Sequence, residues 1–284
     1  MDMTGFDELA DLALRKSGQA IHRRQAYLIE SRLSDILRRE NFSTLTELSD
    51  CLKARPNPVF EDEVVTAMAG KETQFFQDRE TLSYIVDTLL PDLAAKQETA
   101  GEDRPIRILC AGGCTGQEAY SLAILLDEAG ENKHLGRKIE LISVDMCQAS
   151  TTRAIDGLFN HFEIQMGLSV HRMLKYFTRK DDGWKISDTI RKRVSFEVEN
   201  LLQPFDGVES FDIILCRNVL PKMAIPIATN LVSRLGALLG PGGILFTGSE
   251  EHLGAGTHMY SQADAPSGWI YDPLRGAAEE AAVA

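Results

Sequence analysis

The stretch RILCAGGCTGQEAYSLAILL, residues 107–126, sets the tightest limit on what this 284-residue chain can fold into. A short apolar run, Ile106–Cys110, predicts a strand. It enters a loop holding Gly112, Gly113 and Gly116 and leaves as an apolar helix. Glycines let the backbone turn tightly and approach a ligand closely, and such loops open the first crossover of nucleotide-binding α/β sheets. A second predicted strand, Ile139–Val144, ends at Asp145. A carboxylate there can accept hydrogen bonds from both hydroxyls of a ribose. The loop is neither a strict GxGxxG nor a Walker A loop, because no GK[ST] comes after it. Taken alone it fits any nucleoside-bearing cofactor, or a tight turn and nothing more.

The alternation continues toward the C-terminus. Phe211–Cys216 predicts a strand, then comes a helix through Leu239, a turn at Gly240-Pro241-Gly242-Gly243 and the strand ILFTG. Strands alternating with helices imply a parallel, doubly wound sheet. Residues 156–200 interrupt it with a helix ending in LKYF and a hairpin around Asp181-Asp182-Gly183, which predicts an inserted β-subdomain. Upstream, residues 1–90 read as helical. Stripes of Phe6, Leu9 and Leu12, then of Ala26, Ile29, Leu33 and Ile36, recur at the helical period. Pro91–Pro105 is polar with prolines at both ends and reads as a linker. The expected organisation is an all-α domain (1–90), a linker (91–105) and an α/β domain (106–284).

Three segments beside the glycine loop carry candidate ligand contacts. Glu118, in the first turn of the loop's helix, can face a ligand ammonium or simply favour the helix dipole. Arg217 and Asn218 stand just past a strand's carboxyl end, where open α/β sheets bind ligands. Asn200-Leu201 comes after the strand VSFEV and is a candidate contact for adenine.

Charge and cysteines limit the partners. A net charge of −12 opposes broad nucleic-acid binding, which needs a basic surface. Yet between Arg15 and Arg55 nine Lys/Arg stand against five Asp/Glu, which suggests an acidic partner for that part. No apolar stretch reaches the length of a membrane span, and the first residues carry no signal-peptide pattern. Five scattered cysteines fit a reducing compartment, so the expected location is the cytoplasm, with no metal site.

The segments KETQFFQD, RILCAGGCTGQEAYSLA, SVDM, VSFEVENLL, FDIILCRNVL and LLGPGGILFTGSEE, in this order, resemble the CheR family. These are the methyltransferases that use S-adenosylmethionine (SAM) to esterify glutamates of bacterial chemoreceptors. The resemblance spans nearly the whole chain. It implies a helical N-terminal domain, a Rossmann-like SAM-binding α/β domain and a small inserted β-subdomain. It also implies SAM contacts at Thr73, Glu118, Asp145, Asn200, Leu201, Arg217 and Asn218. The basic face carrying Arg24, Arg32, Arg38 and Arg39 would dock the acidic methylation region of a receptor's cytoplasmic domain.

Departures from the family pattern cluster near the reacting centre. Gln77 stands where the family has an arginine, Lys222 where it has a tyrosine, Lys71 where it has an asparagine, and Cys147 where a second acid is frequent. Gln77 keeps hydrogen-bonding capacity but lacks a charged fork. Lys222 would repel a sulfonium unless it points away, or could hold the incoming carboxylate. These residues support two readings: an active glutamate methyltransferase, or a catalytically impaired module that binds SAM, another nucleotide or an anionic ligand and acts as a signalling or regulatory partner.

Overall fold

The computed structural model describes residues 3–70, 73–130, 136–205, 207–249 and 251–272, and Lys71 falls outside them. Four helices open the chain: α1 (Met3–Ser17), α2 (Ala26–Arg39), α3 (Leu45–Ala54) and α4 (Pro58–Ala69). Their apolar stripes meet in one core built on Phe6, Leu9, Ile29, Leu33, Leu48 and Met68. Two starts are capped by side chains. Thr44 accepts from the Glu47 amide and Asn57 from the Phe60 amide, satisfying donors that the helix leaves open.

The fifth helical run belongs to the other core. It comprises α5 (Arg79–Tyr84), a π-helical turn (Ile85–Leu89) and α6 (Leu90–Ala100), and it is continuous. Leu82, Ile85, Leu89, Leu90 and Ala94 pack against the sheet rather than against the first four helices. This corrects the expected linker at 91–105, which is helical through Ala100. Pro91 has no N–H to give the preceding turn, and the π-helical turn just before it lets the helix continue. Gly101, at φ 69°, ends the helix.

The α/β region contains β1 (Ile106–Ala111), α7 (Gln117–Ala129), β2 (Ile139–Asp145) and α8 (Gln148–Asp156). Next is a small excursion: β3 (Leu158–Phe159), α9 (His161–Gln165), α10 (Val170–Tyr176), β4 (Phe177–Lys180), β5 (Gly183–Ile186) and α11 (Asp188–Arg191). The chain then returns through β6 (Val194–Val198), β7 (Phe211–Leu215), α12 (Ile225–Ala237), β8 (Leu239–Phe246), β9 (Tyr260–Gln262) and β10 (Gly268–Tyr271). Seven strands make one sheet in the order β6-β2-β1-β7-β8-β10-β9, while β3, β5 and β4 form a separate three-stranded sheet.

The large sheet is parallel from β6 to β8, and β10 runs antiparallel to both β8 and β9. VSFEV is therefore β6, an edge strand of the large sheet, and the insertion's own sheet ends at Ile186. Every residue of β7 is buried, as expected of a parallel strand covered on both faces. Its one charge, Asp212, is bonded by the Arg104 guanidinium and the Arg107 amide. Gly240–Gly243 lies inside β8, where the pairing jumps from Phe211↔Leu239 to Ile213↔Ile244.

Candidate active site

The carboxyl ends of β1, β2 and β7 open into one cleft. Eleven of the residues singled out in the sequence line it: Thr73, Gln77, Gly112, Gly113, Glu118, Asp145, Asn200, Leu201, Arg217, Asn218 and Lys222. Gly116 does not. A side chain there would press on Phe196 and Ala154, so this glycine serves the packing of α7 against β6 and α8. Gly112 does line the cleft, at φ 81°, and a Cβ on it would lie 2.6 Å from Val219, so the loop packs directly against that side chain. A Cβ on Gly113 would overlap the Ser143 hydroxyl.

Asp145 is fixed by the chain itself. The Cys114 amide donates to its Oδ2 and the Cys147 amide to its Oδ1, each at 2.9 Å. These two bonds tie the glycine loop to the start of α8 and hold the carboxylate at the rim of β2. Cys147, where the family frequently has a second acid, contributes its backbone N–H, and its side chain is buried.

At the other side of the cleft Arg217 is 6% exposed. Its Nη2 donates to the Gln77 carbonyl (2.8 Å) and to Asp78 Oδ2 (3.0 Å). Its Nη1 lies 3.4 Å from Glu118 Oε1. Nε and Nη1 nevertheless have no hydrogen-bond partner among the described residues. Buried polar groups are nearly always paired, so two unpaired donors in a ligand cleft mark where an acceptor belongs. Burial pushes the Glu118 carboxyl above its usual range, and Arg217 partly offsets this.

The Gln77 turn is tightly constrained. Phe76 and Asp78, on either side of it, both have left-handed backbones (φ 53° and 48°). Non-glycine residues in that region are uncommon and cluster at functional sites. The Phe76 amide donates to Ser121, the Phe75 amide to the Met166 carbonyl, and the Arg172 guanidinium stacks over the Phe76 ring at 4.0 Å. Gln77 Oε1 accepts from Asn218 Nδ2 at 3.2 Å, joining the turn to the loop after β7.

Asn200 departs from its expected role. Its Nδ2 donates to the Lys16 carbonyl and its Oδ1 accepts from the Leu202 amide, so its side chain holds the end of α1 over the cleft. The same roof is latched at a second point. The Ala20 amide donates to the Lys222 carbonyl, the Ala224 amide to the Gly18 carbonyl, and Gln19 pairs with Met223. Ser17, Gln19, Thr66 and Gly70 consequently line the cleft from the helical side. Sequence reasoning misses these residues, because neither a helix end nor a lone glutamine carries a local signal of what folds beneath it. Asp78 is legible as part of KETQFFQD but not as the partner of Arg217.

Of the four arginines expected to dock a partner, none lines the cleft. Arg32 Nη1 caps α4 at the Met68 carbonyl (2.8 Å), and its guanidinium lies against Gly70. Arg39 forms a two-pronged pair with Glu63 and also bonds Glu40. Arg38 pairs with Asp35 on its own helix, and Arg24 is exposed.

A parallel sheet with an antiparallel strand pair at one edge, and a cleft over its carboxyl ends, is the architecture of α/β proteins that bind ligands where the strands end. Residues 71–269 match the family described as CheR methyltransferase, SAM binding domain, and the chain belongs to that family. It is 28% identical over 270 residues to chemotaxis protein methyltransferase Cher2 of Pseudomonas putida, covering 94% of this chain and 96% of that one. To chemotaxis protein methyltransferase 1 of Pseudomonas aeruginosa it is 30% identical, covering 93% and 96%. To chemotaxis protein methyltransferase 1 of Vibrio cholerae it is 30% identical, covering 86% and 88%. The chain is a SAM-dependent methyltransferase of the CheR type. No helix among the described residues is long and apolar enough to cross a membrane.

Proposed function

We propose that this enzyme methylates glutamate side chains in the cytoplasmic region of a chemoreceptor, acting in the cytoplasm. The observation that carries the reading is Arg217, a buried guanidinium with two unpaired donors beside Glu118 at the end of a nucleoside cleft. Bound SAM supplies a methyl group on a positively charged sulfur. Asp145, held by two backbone amides, presents its carboxylate to the ribose hydroxyls. Gly112 lets the loop pack directly on Val219, since a side chain there would overlap that residue at the edge of the cleft. Leu201 and Met146 offer apolar surface for the adenine. Nε and Nη1 of Arg217 are matched to the carboxylate of the methionyl group, and Glu118 to its ammonium. Thr73 and Asn218 add polar contacts along the same wall.

Asp78, Glu118 and Glu251 surround the single charge of Arg217. That excess of negative charge favours a cationic donor. A substrate glutamate is ionised at neutral pH and is already a nucleophile, so the chain's remaining work is alignment and exclusion of water. The roof of α1 and α4 closes one side. Gln77, fixed by Asn218, and Lys222, whose carbonyl accepts from the Ala20 amide, line the cleft and would receive the incoming carboxylate. Lys222 supplies a cation for that carboxylate in place of an aromatic wall. The exposed arginines Arg24 and Arg38 meet the acidic receptor surface, with Arg32 and Arg39 behind them.

Two measurements test this reading. Calorimetry with SAM and with S-adenosylhomocysteine (SAH) should detect binding of both, and Asp145→Ala should weaken each by about tenfold or more, the scale of losing hydrogen bonds to a charged acceptor. Base-labile methyl esters should form on a co-expressed receptor cytoplasmic fragment. Unchanged affinity in Asp145→Ala would move the pocket elsewhere. SAM binding without ester formation would discard the glutamate substrate.

A further inference from the structure

The segment FTGSEEHL, at the end of β8, contains a half-buried acid, Glu251, that does not line the cleft. Glu251 sits in a tight turn in which its own amide donates to the Gly248 carbonyl. Its carboxylate accepts from the Asn218 amide at 2.5 Å through Oε1 and from the Gly248 amide at 3.3 Å through Oε2. Two residues earlier in the same turn, the Ser249 hydroxyl donates to Asp78 Oδ1 at 3.1 Å.

Asn218 and Asp78 have the same peculiarity: each is a non-glycine residue with a left-handed backbone, φ 60° and 48°. Between them they bracket Arg217, one as its chain neighbour and the other as the acceptor of its Nη2. Ser249 and Glu251 therefore grip both residues that aim the guanidinium. Glycine at 248 is what lets the carboxylate come so close. A Cβ there would lie 2.9 Å from Glu251 Cδ.

We propose that Glu251 is a positioning residue of the methyl-donor site. Its carboxylate clamps the Asn218 amide, and through it turns Arg217 and Asn218 toward the cleft. The proposal rests on the reading of that cleft as the SAM site. Glu251 itself touches no donor atom. A hydrogen bond to an ionised acceptor is among the stronger kinds, and leaving the Asn218 N–H without it frees the loop to rotate away.

The test uses the full chain, with SAM affinity measured by calorimetry and thermal melting run in parallel. Glu251→Gln keeps an acceptor oxygen for Asn218 but loses the charge, and should raise the Kd for SAM about tenfold; Glu251→Ala removes both and should raise it further. Gly248→Ala leaves Glu251 chemically intact but displaces its carboxylate, so it should reproduce the effect if Glu251→Ala does not fold. A purely structural role would lower the melting temperature and leave the Kd of the folded protein unchanged. Wild-type Kd in Glu251→Gln and Gly248→Ala, below their melting temperatures, overturns the proposal. If the unaltered chain binds no SAM at all, the donor-site reading falls and this proposal with it.

Discussion

Arg217 and the arginines of α2 carry the same charge in opposite surroundings. Arg217 has a side chain only 3% exposed and sits among Asp78, Glu118 and Glu251. Arg38 is 78% exposed, and its partner Asp35 is 86% exposed. A buried guanidinium is held in one place by groups that cannot turn to water instead, so it orients a ligand. An exposed one exchanges partners at little cost, so it suits docking of a surface that comes and goes. Burial, more than residue type, separates Arg217 from the surface arginines, and on the proposed reading it separates donor site from docking face.

The sharpest way to break that comparison is to remove the buried charge. Arg217→Met should abolish measurable SAM binding and destabilise the ligand-free protein by about 3 kcal/mol, the scale of breaking a buried ion pair from one side. Arg217→Lys keeps the charge without the planar fork, and should recover stability better than affinity. Calorimetry and urea unfolding read both quantities. SAM binding by Arg217→Met within about tenfold of the unaltered chain would mean that the buried charge serves only the fold.

Next in size is the pH dependence of the same cluster. Burial raises the carboxyl of Glu118 above its ordinary value of 4.5, with Arg217 opposing. Burial also raises Glu251, with the Asn218 and Gly248 amides and Arg217 opposing. Because the folded value is raised, the stability these carboxyls contribute to the ligand-free chain is present at low pH. It is lost as pH rises through the raised value. A cationic ligand prefers them ionised. SAM affinity should therefore weaken as pH falls through a window that opens above 4.5, with protons released on binding there. SAH lacks the sulfonium and should weaken less. Identical pH profiles for the two ligands would remove charge from the account of this site.

The contrast also explains which parts were legible in the sequence. The glycine loop, Asp145 and the Arg217-Asn218 pair are short, local patterns whose geometry is set by standing at strand ends, and they meet in one cleft. The roof is different. Lys16 and Asn200 are 184 residues apart, and nothing local in either says that α1 will be latched over β6 and β7. The helical reading of 1–90 found the right elements but grouped α5 with the wrong core, because periodicity marks a buried face without naming what buries it. Pro91 and the polar run after it imitate a linker, and only packing of Leu90 and Ala94 on the sheet reveals a helix. The four arginines shared one face in the sequence pattern, yet Arg32 and Arg39 are engaged with α4.

On the docking side, reversing charge should act on association and leave the donor site alone. Arg24→Glu with Arg38→Glu should slow binding of an acidic receptor fragment by roughly tenfold at low salt, the effect fading as ionic strength rises. SAM affinity should stay as in the unaltered chain, since neither residue lines the cleft. Stopped-flow association across a salt series measures this. A loss that persists at high salt would show that these residues make close contacts instead of steering. Unchanged association would move the docking face away from α2.

The smallest effect belongs to Arg39, and it tests the rule from the other end. Its two-pronged pair with Glu63, at 2.6 and 2.9 Å, joins α2 to α4, and its hydrogen bonds to Glu63 and Glu40 raise its pKa further. By geometry alone this is a strong ion pair. It is nevertheless half in water, with Arg39 51% exposed and Glu63 30% exposed. Solvent and salt screen such a pair, and ordering two long side chains costs entropy. Arg39→Ala should therefore shift unfolding by about 1 kcal/mol or less. Pairing it with Glu63→Ala in a double-mutant cycle isolates the interaction from the lost packing. A coupling energy as large as the cost of Arg217→Met would mean that exposure does not divide these arginines, and the contrast between site and surface would have to rest on something else.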